Sequence, residues 1–213
     1  MDIYYLGHAS FHLKGKDSSV VTDPFDPKAV GIRFPRVSAT VVTVSHEHSD
    51  HNSSKLVGGV KKVISGPGEY EIEGVSIIGL PSFHDEKKGV ERGKNTIYVY
   101  EIDKLRLCHL GDLGHKLDEA TVTAIGEIDV LMIPVGGFYT IDGKLASEVT
   151  ASIEPKIVIP MHYDLSGRGK NPLADEKAFI KELGIPEKRE KKLSLKAGSL
   201  ADEGLEVVVL DIA

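Results

Sequence analysis

Apolar and polar positions along the chain form short β-like runs in the first half and mix with helical spacings in the second. From Ile3 an apolar segment leads to the polar turn Lys14-Gly15-Lys16-Asp17 and then to Val20-Val21-Thr22, which ends at Asp23-Pro24. Two such segments about a polar turn predict a β-hairpin. Ala39 to Ser45 reads Ala-Thr-Val-Val-Thr-Val-Ser, too apolar for a half-exposed strand and suited to one covered on both faces. Further strands are expected at Lys62 to Ile64, Tyr70 to Ile72 and Val75 to Leu80, the last running into Ser82-Phe83-His84. A second hairpin, Thr96 to Ile102 and Leu105 to His109 about Asp103-Lys104, ends at Leu110-Gly111-Asp112, much as the first ends at Asp23. The two halves therefore look loosely repeated.

Helical apolar spacing predicts helices over Leu117 to Ile128 and Lys144 to Ile153, the second opened by Asp142-Gly143 and closed before Pro155. Strands at Val130 to Val135 and Ile157 to Pro160 follow them, which implies helices packed outside a sheet. Asn171-Pro172 opens a third predicted helix, Leu173 to Leu183, stopped by Gly184 and Pro186. Lys188 to Lys192 reads as a solvated connection and Leu205 to Ile212 as a closing strand. No linker divides the chain, so residues 1–213 are expected to form a single domain.

Composition narrows the class without naming a function. A chain of 213 residues can bury about 70% of its unfolded surface. No basic-then-apolar leader opens the chain at Met1-Asp2-Ile3-Tyr4-Tyr5, and no apolar run approaches a membrane span. The only cysteine, Cys108, excludes an intrachain disulfide and a cysteine-based zinc framework, which fits a reducing cytoplasm. Net charge of -6 argues against a broad nucleic-acid-binding face.

The chemistry lies in Ser45-His46-Glu47-His48-Ser49-Asp50-His51, where three imidazoles and a carboxylate crowd a loop directly after a buried strand. Imidazole nitrogen and carboxylate oxygen are preferred ligands of zinc and its borderline neighbours. In a tight loop His46 and His48 can converge on one ion while Asp50 and His51 project toward a second.

His46-x-His48-x-Asp50-His51 resembles the signature of the metallo-β-lactamase superfamily. Within it, the chain is most similar to the small ascorbate-phosphate lactonase-like branch. The matching segments are Gly7-His8-Ala9-Ser10-Phe11, Thr22-Asp23-Pro24-Phe25, Arg92-Gly93-Lys94-Asn95-Thr96, His109 to His115 and Pro134-Val135-Gly136-Gly137. The resemblance implies an α/β fold, the four-layer αβ/βα sandwich, with metals at one edge between two sheets. It also implies two divalent ions, zinc first with manganese or iron as alternatives. His84 completes the first ion's histidines, Asp112 bridges the ions, and His162 serves the second. Two such ions share a hydroxide and clamp an oxygen that gains charge, so hydrolysis of a phosphodiester, lactone or other ester is expected. Asp50 would both ligate and orient the nucleophile.

Around this set, His8 is a candidate for substrate contact or proton donation and equally for a structural hydrogen bond. Asp23 is a candidate partner for a ligand imidazole, or a turn residue before Pro24. His109 and His115 are expected to support the shell, His12 to be structural and Cys108 to lie in the core. Lys87, Lys88, Arg92 and Lys94, with Arg168 and Lys170, suggest basic loops above the site and a small anionic substrate. Nuclease activity and a non-catalytic metal module are the alternatives. A flavodiiron-like role is disfavoured because His48 stands where those relatives carry Glu. A homo-oligomer remains open.

Overall fold

The computed structural model describes residues 1–165, 172–200 and 204–213. The first half of the chain supplies β1 (Asp2–Gly7), β2 (Ser10–Lys14), β3 (Ser19–Thr22), α1 (Pro27–Val30), β4 (Val37–Ser38), β5 (Val41–Val44), β6 (Val57–Gly58) and β7 (Lys62–Ser65). The remainder supplies β8 (Gly68–Ile72), β9 (Val75–Phe83), β10 (Lys94–Ile102), β11 (Leu105–His109), α2 (Glu119–Ile125), β12 (Val130–Pro134) and α3 (Gly143–Ile153). It closes with β13 (Ile157–Met161), α4 (Lys177–Leu183), β14 (Glu187–Glu190), β15 (Leu193–Ser194) and β16 (Glu206–Leu210). Six strands form one sheet in the order β15-β1-β2-β3-β5-β7, and eight form another, β14-β16-β13-β12-β11-β10-β9-β8.

The repeat suspected from sequence is present in the topology. β1, β2 and β3 run antiparallel and then pair in parallel through β5 to β7. β9, β10 and β11 do the same, continuing in parallel through β12 to β13. Asp23 and Asp112 thus follow the third strand of each repeat.

Alternation of side chains explains how the first sheet is covered on both faces. Ile3, Tyr5, Val20 and Val41 join the core shared with the other sheet, whereas Leu6, Val21 and Val42 pack in a second cluster with Phe25, Phe34 and Val57. The tyrosines of β10 tie the sheets together: Tyr100 Oη and Thr43 Oγ1 are 2.7 Å apart, and Tyr98 Oη donates to Val44 O at 3.0 Å. The eight-stranded sheet receives the helices. Asp118 caps α2 and Asp142 caps α3 through backbone N–H groups at 2.8 and 2.9 Å. α3 buries Ala146, Val149 and Ile153 toward β12 and packs against α4. The result is the expected layered αβ/βα sandwich, its outer layer on the first sheet being the Phe25 to Val57 segment with the one-turn α1. No described helix is long and apolar enough to cross a membrane.

Several expected boundaries shift for local reasons. The first apolar segment is two strands, because Gly7 (φ 106°) and His8 (φ 59°) reverse the chain and set Tyr5 opposite Phe11. The Leu117 to Ile128 helix is confined to Glu119–Ile125 by the Asp118 and Gly126 caps. The third helix begins at Lys177; Asn171 lies outside the described residues. The run Lys188 to Lys192, expected as a solvated connection, overlaps β14, which pairs in parallel with β16 from Glu187↔Val207 onward. An edge strand needs backbone partners on one side only, so the charged Glu187-Lys188-Arg189-Glu190 suits it and discourages further pairing.

Candidate metal centre

Four strands deliver the candidate ligands to one edge of the sandwich. His46 follows β5, His84 follows β9 directly, Asp112 follows β11, and His162 follows β13 directly. The turn after His46 is closed by His51 N and Asn52 N donating to His48 O at 2.9 and 3.1 Å. This winding puts His46 and His48 on one side and Asp50 and His51 on the other.

Asp112 lies at the middle of the cluster. Its Oδ2 is 3.1 Å from His162 Nε2, 3.2 Å from His51 Nε2 and His84 Nε2, and 3.9 Å from His46 Nε2. Donor atoms of His46, His48 and His84 lie within 4.8 Å of one another, as do those of Asp50, His51, His162 and His8. Asp112 groups with His46 and His51 in the same way and so joins the two sets. All seven residues singled out in the sequence are brought together, with His8 added at one end.

The donor set fits a cation. His46 Nε2, His51 Nε2, both ring nitrogens of His162, His84 Nδ1 and Asp112 Oδ1 are buried without a hydrogen-bond partner. The close approaches of Nε2 of His46, His51 and His162 to Asp112 therefore lack hydrogen-bond alignment. Each orphaned polar atom costs about 1–3 kcal/mol if nothing else satisfies it, and a shared positive ion satisfies several at once.

Neighbours fix the orientation of His51 and the tautomer of His46. Asp23 accepts from Ser45 N (2.7 Å) and Ser45 Oγ (2.6 Å) and lies 2.9 Å from His51 Nδ1, so His51 turns Nε2 inward. Ser45 Oγ has given its one proton to Asp23 and accepts from His46 Nδ1 at 2.9 Å, which leaves His46 Nε2 a bare lone pair. Burial, helped by His51, pushes His46 down to about 3 and keeps it neutral. Burial also opposes charge on His51, but Asp112 and Asp23 outweigh it and hold that imidazole well above its ordinary value. On Asp112, burial is overcome by His162 and His51, and the carboxyl stays well below the usual range.

His8 makes structural hydrogen bonds and also reaches the candidate ligands. Its Nε2 is 3.1 Å from Asp50 Oδ2 and its ring centroid is 4.2 Å from that of His162. Its carbonyl accepts from His162 N and Tyr5 Oη, both at 2.7 Å. His8 and His162 both have positive φ, 59° and 53°, a conformation that non-glycine residues hold only where surrounding bonds enforce it. Burial, then His162, pushes His8 down to about 4.

The supporting residues divide differently from expectation only in detail. His109 is fully buried and spends both nitrogens, Nε2 on Ala9 O (2.8 Å) and Nδ1 on Gly111 N (3.1 Å), so it braces the Asp112 loop. His115 Nε2 accepts from Phe83 N at 3.2 Å, next to His84. Cys108 is buried in the core. Asn95, given no role in the sequence, proves central: its Oδ1 accepts from Asp112 N at 3.0 Å while Nδ2 donates to Ser82 Oγ at 2.7 Å and Leu110 O at 2.9 Å. Its place in Arg92-Gly93-Lys94-Asn95-Thr96 was the available signal. Close backbone contact also explains two glycines, since a Cβ at Gly114 would collide with the His84–Asp85 backbone and one at Gly136 with His162 O.

Of the basic residues, Arg92 and Lys94 line a cleft of about 620 Å³ whose wall includes His46 and His48. Lys87 is engaged with Glu91 at 2.6 Å. Arg168 and Lys170 lie outside the described residues.

Comparison with known proteins agrees with this geometry. Residues 2–162 match the Beta-lactamase superfamily domain, and the chain belongs to the metallo-β-lactamase superfamily. A solved structure from Thermotoga maritima, assigned to that superfamily, superimposes with a TM-score of 0.80 at 40% identity, covering 99% of each chain. Among curated relatives, a protein of Thermococcus kodakarensis named as a metal-dependent hydrolase is 28% identical over 76% of this chain and 84% of its own length. Another so named, from Methanopyrus kandleri, is 29% identical over 87% of this chain and 94% of its own.

Proposed function

We propose that the chain is a metal-dependent hydrolase that works with two divalent cations, zinc in the first instance, on a phosphodiester, lactone or other ester of a small anionic molecule. The observation that carries this reading is the placement of Asp112 Oδ2 within 3.1 to 3.9 Å of four imidazole nitrogens, three of which, Nε2 of His46, His51 and His162, are buried without a hydrogen-bond partner. The names of the relatives support the reaction class.

When bound, such ions supply an acidified water and stabilise the substrate oxygen that gains charge. His46, His48 and His84 would hold one ion and Asp50, His51 and His162 the other, with Asp112 available to both. Asp50 is the ligand nearest solvent among the carboxylates, its side chain 33% exposed against 2% for Asp112. Its Oδ2, steadied by His8 Nε2, is placed to accept a proton from an incoming water. Asp112, buried and surrounded by imidazoles, stays ionised and holds the centre together. His51 and His46 are locked in orientation by Asp23 and Ser45, so the chemistry needs little reorganisation. A single buried cysteine suits work in the reducing cytoplasm.

Purification without an affinity tag or chelator, followed by elemental mass spectrometry and bis(p-nitrophenyl) phosphate turnover with zinc or manganese added back, tests the reading. Close to two ions per chain with chelator-sensitive turnover is the expected result. Failure to bind metal under any condition would overturn it.

A further inference from the structure

The cleft beside His46 and His48 offers a ligand far less hydrogen-bonding capacity than its residue names suggest. Ser45 Oγ is committed to Asp23, and Asn95 Nδ2 to Ser82 Oγ and Leu110 O. Ser82 Oγ donates to Asn95 O at 3.2 Å, and Ser65 Oγ donates to Glu47 Oε1 at 2.8 Å. The rest of the wall is mainly the apolar surface of Pro67, Pro81 and Phe83 with the backbone of Gly66 and Gly93, beside Glu47, Thr96 and the histidines His46 and His48.

Two cations stand at the same cleft. Arg92 is held in place: its backbone N donates to Asp85 Oδ2 at 2.7 Å, its Nη2 donates to Phe138 O at 3.1 Å, and the guanidinium lies 5.7 Å from the centre of the Tyr139 ring. Arg92 lines this cleft, and no carboxylate of the described residues forms an ion pair with its guanidinium, which Phe138 and Tyr139 hold at the rim. Lys94 adds a second positive charge on the same wall.

We propose that this cleft is the substrate-arm subsite of the metal centre, that it takes an apolar aryl or acyl group of an anionic ester rather than a polyhydroxylated sugar, and that Arg92 is its specificity-determining residue. The inference rests on the hydrolase reading and selects within it. A sugar-like arm would bring several hydroxyls against a mainly apolar wall whose serine and asparagine donors are already in use, and each unmatched hydroxyl would lose its water without replacement. An aryl or acyl arm covers Pro67, Pro81 and Phe83, a gain proportional to the area removed from water. The negative charge of the ester would be met at the rim by Arg92, whose guanidinium has planar donors that suit a phosphoryl or carboxyl oxygen pair.

Metal-loaded protein, its occupancy verified by elemental analysis, would be titrated calorimetrically with phenylphosphonate, methylphosphonate and glucose 6-phosphate as probes. Phenylphosphonate is expected to bind about tenfold or more tightly than either of the others. The preference should vanish in Pro67→Asp, which sets a negative charge in an exposed turn of the cleft wall without touching a ligand. Arg92→Gln should weaken both phosphonates and raise KM for bis(p-nitrophenyl) phosphate about tenfold or more with kcat and metal content little changed, and Arg92→Lys should restore part of the loss. Equal binding of the phenyl and methyl probes, tighter binding of the sugar phosphate, or an unchanged KM in Arg92→Gln, each with metal fully bound, would overturn the subsite alone. Absence of metal from the wild-type chain would instead remove the hydrolase reading on which it depends.

Discussion

At the scale of single residues, the centre depends on side chains whose removal cannot be absorbed by neighbours. Asp112→Ala takes away the carboxylate shared by both halves of the site. Metal content and hydrolysis should fall together while far-UV circular dichroism is retained, because the sheets are held by the apolar core. Retained turnover in that variant, or in His48→Ala, would refute the assignment. Asn95→Ala leaves Asp112 N–H and Leu110 C=O without their partner in a buried site, so denaturant melts should show a loss of about 1–3 kcal/mol, with weakened metal retention. Protonation sets the pH response of loading. His51 without metal is held protonated above its ordinary range by Asp112 and Asp23, so an incoming cation must displace a proton. Metal affinity should therefore rise with pH, with protons released on binding, as measured by calorimetry in buffers of different ionisation enthalpy.

At the scale of elements, loops rather than strands set the geometry. The loop after His84 is organised by Asp85, whose carboxylate accepts from the backbone of Lys87, Gly89, Glu91 and Arg92 at 2.7 to 3.0 Å. Burial works against that charge, yet the four N–H groups hold the carboxyl below the usual range. A depressed folded-state value means that the stabilisation is present above the unfolded carboxylate pKa and is lost as pH falls through the folded one. Amide exchange at Lys87, Gly89, Glu91 and Arg92 should accordingly accelerate on acidification, relative to amides of β10, at pH below about 4. Asp85→Asn should produce the same local opening at neutral pH. The turn between β1 and β2 has the matching role on the other side: its His8 carbonyl holds His162 N, and its Ala9 carbonyl holds His109. Gly136→Ala drives a methyl group into the His162 backbone, so a stability loss of about 1–3 kcal/mol is expected, together with faster metal loss in competition with a chelator.

At the scale of the whole molecule, the two repeats place their strand ends along one edge, and the metal centre is where the two halves meet. β5 supplies His46 through its following loop, while β9, β11 and β13 bring His84, Asp112 and His162. The core that joins the sheets, from Ile3 and Tyr5 to Tyr98, Tyr100 and Met132, does not pass through these ligands. Chelation should therefore leave a folded protein with a lower Tm, and adding zinc back should raise Tm with free-ion concentration, as expected for a ligand that binds only the native state. Collapse of the circular dichroism on chelation would show that the ions hold the sandwich itself.

The sequence by itself determined the strand content, the repeat, the superfamily and the seven residues gathered at the centre, because local apolar periodicity and the dense His46 to His51 motif are written in consecutive positions. It also carried the helix start at Asp142 and the stop at Gly184, which act within one turn. Only the tertiary structure decided what depends on distant pairing. Nothing local distinguishes β14, a charged segment made a strand by its neighbour β16. The reversal at His8 is fixed by bonds to His162 and Tyr5, and the importance of Asn95 by its reach to Asp112. The cleft's apolar character likewise arises because its polar side chains are bonded to partners many residues away, and sequence names a side chain's atoms without telling which of them are already in use.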